Sequence, residues 1–188
     1  MATVFDEIDD KLREWLLAQP VFFVGTAPLS GDGHVNVSPK GMSGTFAVLG
    51  PRQVGYLDYF GSGVETVAHL RENGRIVIML CAFTGPPKIV RLHGRGRFVR
   101  AGDADFDRLR GRFGKDRDLG LRSIVLVDVD RIADSCGYSV PFMEYVGDRD
   151  VLDRSQERRD EAYFDEYGAT RNAESIDALP GLAGLTPR

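Results

Sequence analysis

The 188-residue sequence is poor in cysteine, histidine and lysine: two cysteines, three histidines, and four lysines beside twenty arginines. Cys81 and Cys136 alone build no secreted disulfide framework. With no histidine or cysteine at ligand spacing they build no zinc site either. Cys81 lies in the apolar run RIVIMLCAF, where a buried, inert thiol is expected. His34, His69 and His93 match no ligand spacing, so no metal centre is expected. There is no apolar run of about 18 residues, as a spanning helix needs. The start MATVFDEIDDKLREW has acids where a signal peptide has bases. The expectation is a cytoplasmic protein without a membrane partner. Positive charge is not in excess: 24 Lys and Arg face 28 Asp and Glu, for a net charge of −4, which argues against nucleic acid as a partner. Nucleophile elbow, P-loop and dinucleotide fingerprint are all missing.

What is present is an ordinary globular composition, 43% hydrophobic and 28% charged, long enough for one domain spanning 1–188. FDEIDDKLREWLLAQ (5–19) places Phe5, Ile8, Leu12, Trp15 and Leu16 on one helical face, with Thr3 as its cap and Pro20 as its stop. Hairpins are predicted for 21–27 with 34–38, over an Asp-Gly turn, for 45–50 with 53–60, and for 75–83 with 88–99. RSIVLVDVDRI (122–132) adds a late strand. Helices are predicted at 62–73, with Ser62 and Glu65 at capping-box spacing and Asn73-Gly74 as a C-cap, at 103–113, and at 153–167. The last is highly charged and is expected to pack lightly or against a partner chain; the end, PGLAGLTPR, reads as an extended tail. About seven short strands with inserted rather than alternating helices describe a mainly β, α+β chain: an antiparallel barrel with flanking helices, its core at about 20–132.

Three features invite chemistry, each with a plain alternative. Gly61, Ser62 and Gly63 lead into the 62–73 helix, where Ser62, Thr66 and free N–H groups form a phosphate cradle or an ordinary helix start. Lys40, just past a strand end and after Ser38, supplies a point charge to an anion or is a solvated turn lysine. Residues 88–117 hold ten basic residues against four acids. Within them Arg91, Arg95 and Arg97 share a strand face, either facing an anion or answered by the acidic 153–166 stretch.

In this order, VFFVGTAPLSGDGHVNVSPKG, VGYLDYFGSGVETVAHLRENGRIVIML and KIVRLHGRGRFV resemble the pyridoxamine 5'-phosphate oxidase-like family of FMN-binding split barrels over roughly 20–130. DSCGYSVPFMEYVGDRD resembles the ending of a bacterial branch of that family. The resemblance implies a six-stranded antiparallel split barrel, a homodimer, and FMN held between subunits for hydride transfer to or from a small organic substrate. It implies that Ser38 and Lys40 border the flavin, that Asp58 and Tyr59 end a strand beside it, and that Ser62, Gly63 and Thr66 meet its phosphate. Lys88 and Arg91 would approach from the next hairpin, and Ser135, Tyr138 and Pro141 would lie over the site. Two departures set the chain apart from the vitamin-forming oxidases. Val64, Glu65 and Thr66 stand where those begin the phosphate helix Ser-Arg-Lys, and no C-terminal arginine segment for pyridoxal phosphate is recognisable. The fold also hosts deazaflavin-dependent reductases and non-catalytic flavin-binding or flavin-sensing proteins, and a barrel without cofactor is the plainest reading. No general base stands out.

Overall fold

The computed structural model describes residues 3–185. Eight antiparallel strands form one sheet in the order β3-β2-β6-β7-β8-β5-β4, with a short β1 added to β8. The strands are β1 (Val4–Phe5), β2 (Phe22–Thr26), β3 (Asn36–Lys40), β4 (Phe46–Gly50), β5 (Gln53–Tyr59), β6 (Arg75–Cys81), β7 (Ile89–Val99) and β8 (Leu121–Ser135). The three predicted hairpins are present as β2–β3, β4–β5 and β6–β7. The sheet is not hydrogen-bonded closed, but it curls until its far strands meet. The Phe22 ring of β2 lies tilted, 5.1 Å from that of Phe46 in β4 and 5.4 Å from that of Tyr56 in β5. Alternate residues inside the curl, among them Val24, Ile78, Leu92, Val125 and Val127, make the main core. The architecture is thus a split barrel, with eight strands in place of the six that the resemblance implied.

The first helix starts later than its periodicity suggested. Val4 and Phe5 pair with Ala133 and Ile132 of β8, and α1 runs only Asp10–Leu17, capped by Asp9, whose carboxylate accepts the Leu12 N–H at 2.7 Å. Thr3 instead uses its own N–H to reach Asp134. Phe5 still packs on the core beside Ile8, Leu12, Trp15 and Leu16, because a short strand and the helix after it can bury the same apolar set.

Helix α2 (Glu65–Glu72) ends as expected on Asn73 and Gly74, whose φ of +70° suits glycine. Its start differs. Val64 takes the cap position, no side chain caps it, and the expected Ser62–Glu65 capping box is not made. Val64 is buried against Phe164 and Leu182, so burial fixes the entry of the chain into the helix. α3 (Phe106–Arg110) lies on the outer face of β8, where Leu109 and Phe113 meet Ile124 and Leu126. The predicted charged helix is two, α4 (Val151–Gln156) and α5 (Glu161–Thr170), the second capped by Asp160. It does not pack lightly: Phe164 is buried 5.4 Å from Phe60. Nor is the described part of PGLAGLTPR, 180–185, an extended tail, since Leu182 is buried with Val64 and Val67; 186–188 lie outside the described residues. No helix among the described residues is long and apolar enough to cross a membrane.

Candidate functional site

Asp58, next to last in β5, is 1% exposed. A carboxylate taken out of water must be paired. Its Oδ2 accepts from Arg122 Nε at 2.8 Å and from the Ser123 hydroxyl at 3.3 Å, and its Oδ1 accepts from Lys40 Nζ at 3.2 Å. Burial opposes ionisation of Asp58, but Arg122 first and Lys40 second overcome it and hold the carboxyl at about 2. Arg122 is itself 3% exposed. It spends its remaining reach on the Gly63 carbonyl and on Asn172 Oδ1, each at 2.8 Å. Two cations around one carboxylate leave a single surplus positive charge. That charge surfaces through Lys40, whose side chain is 27% exposed.

Above this floor lies a cleft of about 260 Å³ lined by 38–40, Tyr59, 61–63, Glu65, Thr66 and Arg122. Of the residues marked in the sequence, Ser38, Lys40, Tyr59, Ser62, Gly63 and Thr66 meet at this cleft, and Asp58 lies beneath them. A polar chain backs one wall. The Ser38 hydroxyl donates to Asn36 Oδ1, and Asn36 Nδ2 donates to the hydroxyl oxygens of Thr66 and Thr26, each at 3.1 Å. Thr26 Oγ1 in turn meets buried His69 Nδ1 at 2.9 Å. Burial keeps the His69 pKa below its usual value, so the ring is the neutral partner in this chain. Tyr59 donates its phenol to the Arg117 carbonyl at 2.7 Å. Burial, partly offset by Arg110, pushes its pKa up to about 12. The Glu65 carboxylate folds back over the loop, near enough that a Cβ on Gly63 would lie 2.5 Å from it.

Lys88 and Arg91 are not among the residues lining this cleft. Lys88 Nζ lies 5.0 Å from the Trp15 ring centroid and 5.4 Å from that of Phe5. Val90 and Leu92 point into the barrel, which turns Arg91 outward, where it donates to Ser135 Oγ at 2.9 Å. Tyr138 and Pro141 are exposed and do not border the cleft. The acidic stretch does answer part of the basic segment, since Asp153 pairs with Lys115 and Arg117. Arg122, Asn36 and Asn172 are additions that the sequence did not mark. A second cleft, of about 380 Å³, opens beyond Gly41 between Phe22, Phe46, Phe83, Met143 and Tyr145.

Comparison with known proteins agrees with this architecture. The sequence profile for pyridoxamine 5'-phosphate oxidase matches residues 8–136. The protein named "Pyridoxamine 5'-phosphate oxidase family protein ustO" of Aspergillus flavus is 37% identical over 196 residues, covering 97% of this chain and 78% of its own length. That relative is fungal, so the likeness through the C-terminal third is not confined to bacteria. Among solved structures, a candidate 5-nitroimidazole antibiotic resistance protein of Bacteroides thetaiotaomicron superposes with a TM-score of 0.50 at 16% identity, over 71% of this chain and 87% of that one. An FAD binding protein of Mycobacterium smegmatis gives a TM-score of 0.49 at 17% identity, over 71% and 96%. With the profile covering every strand but the short β1 and the relative nearly the whole chain, this protein belongs to the pyridoxamine 5'-phosphate oxidase family.

Proposed function

We propose that two copies of this chain bind FMN non-covalently in a groove that includes the Lys40 cleft, and that the loaded dimer is an oxidoreductase moving hydride to or from a small organic substrate. One observation carries the reading: the surplus charge of Lys40, the hydroxyls of Ser62 and Thr66, and the open first turn of α2 converge on one cleft. These groups suit the phosphate-bearing tail of a nucleotide. At about 260 Å³ the cleft is smaller than the ~300–1,000 Å³ of pockets that enclose a drug-sized ligand. One copy therefore seats the tail, and a second copy completes the seat for the rings.

The flavin supplies the redox chemistry when bound; the chain supplies charge and orientation. Asp58 tethers the Lys40 ammonium, so the cation meets the anion without first being ordered. Thr66 Oγ1 accepts from Asn36, which fixes its hydroxyl on the cleft wall. Tyr59, bonded to the Arg117 carbonyl, stays a neutral phenol. Glu65 fits least well, since its carboxylate lines the same cleft and opposes an anion there.

Protein purified without added cofactor is expected to show a flavin spectrum or to take up FMN on titration. A colourless protein whose melting point ignores FMN would end the reading, and a deazaflavin would announce itself by a different absorbance. Lys40→Ala should weaken FMN by about ten- to a hundredfold, the ~1.5–3 kcal/mol of a hydrogen bond to a charged group, with riboflavin much less affected.

A further inference from the structure

We infer that the hook formed by residues 172–183 belongs to the binding site, and that Asn172 is a positioning residue setting the backbone of loop 61–63 for the cofactor's charged tail; this rests on the flavin reading above. The hook lies beyond the part of the chain that the family profile matches, which ends at residue 136. Asn172 is wholly buried, and both ends of its amide are used. Oδ1 accepts from Arg122 at 2.8 Å, and Nδ2 donates to the Gly61 carbonyl at 3.1 Å. Arg122 holds the Gly63 carbonyl at 2.8 Å, so the two carbonyls that flank Ser62 are pulled toward the same buried network. The Asn172 amide, acceptor at one end and donor at the other, joins a guanidinium to a carbonyl.

The hook is itself anchored around Asn172. The Leu182 N–H donates to the Asn172 carbonyl at 2.8 Å, and Gly181 N–H to the Ala173 carbonyl at 2.7 Å. Gly181 passes so close that a Cβ there would lie 2.6 Å from the Asn172 carbonyl oxygen and 2.7 Å from the Val64 side chain. From α2, Arg71 donates to the carbonyls of Gly181 and Ala183. A segment beginning 37 residues past the end of β8 (Ser135) and outside the barrel thus reaches under the loop that lines the cleft. It does so through polar bonds that hydrophobic packing alone would not require.

The test titrates FMN and riboflavin into wild type, Asn172→Ala, Asn172→Asp and Arg71→Ala, and follows amide exchange at 61–66 in the free proteins. Asn172→Ala should lose about tenfold or more in FMN affinity, as a buried tether is removed, while riboflavin stays within about twofold and exchange at 61–66 quickens. Asn172→Asp keeps the acceptor for Arg122, loses the donor to Gly61, and should show the same FMN-selective loss. Arg71→Ala, a change at the edge of the hook, covers the case in which both Asn172 variants unfold, and should shift FMN affinity in the same direction by a smaller factor. Wild type that binds neither flavin overturns the flavin reading. Wild type that binds FMN, with folded variants matching it in affinity and exchange, overturns this inference alone; so does an equal loss of FMN and riboflavin.

Discussion

Asp58 has no exposed surface to retreat to, and a guanidinium and an ammonium lean on it from two sides. Asp58→Asn leaves Arg122 buried without its counter-charge, which should cost about 3–5 kcal/mol in urea unfolding at neutral pH. The folded carboxyl titrates at about 2 against an ordinary 3.8. A depressed carboxyl pKa gives stability that is complete above the unfolded value and is lost as pH falls through the folded one. Wild type should therefore lose stability between about pH 4 and pH 2, and Asp58→Asn should lack that share of the slope. Lys40 was legible in the sequence as a rare lysine beside glycine, and Asp58 only through the family resemblance. Arg122 was not, because an arginine at the head of an apolar run reads as a solvated flank. Asn172 has no periodic signature at all, and its carbonyl partner stands 111 residues upstream.

Local rules located the elements, and contacts distant in sequence moved their ends. Phe5 and Ile8 keep helical spacing with Leu12, yet β8 offers Val4 and Phe5 two strand partners, and the helix yields its first turn. Asp9→Ala should cost about 1 kcal/mol, the worth of a side-chain cap, whereas Thr3→Ala should stay within about 0.5 kcal/mol because only its backbone is bonded. Equal losses in thermal melts of the two variants would contradict the assigned cap. The same logic explains α2. Its capping-box spelling was clear, but Val64 gains more by burial against Leu182 and Phe164 than Ser62 would by capping. Hairpins fared best, since their turns and alternation are short-range and self-consistent.

At the scale of the molecule, barrel and helices form a closed apolar interior, but the outside is not uniformly polar. Edge strand β3 exposes Val37 (65%), with Val35 (72%) just before it, and the arm after β8 exposes Phe142 and Val146. Exposed edge strands and apolar patches of this kind are commonly covered, and in the function proposed above the cover is a second copy, which also completes the cleft. Light scattering should give twice the 20.8 kDa chain mass, and Val35→Asp with Val37→Asp should halve it and weaken FMN in parallel. A wild-type protein that scatters as a single chain would remove the shared groove. Nothing short-range in the sequence announces such a surface, because isolated valines in a strand look the same whether they face water or a partner.

The central strand adds a consequence of its own. From Leu121 to Val127 every side chain of β8 is buried, with the barrel interior on one side and α3 on the other, so oiliness alone would let the strand slide by a residue against its neighbours. Arg122 forbids the slip: one step either way strands its charge in hydrocarbon and parts it from Asp58. The contact that floors the cleft is therefore also a ratchet for assembly, and a chain cannot knit its sheet out of phase and still possess a cleft to fill.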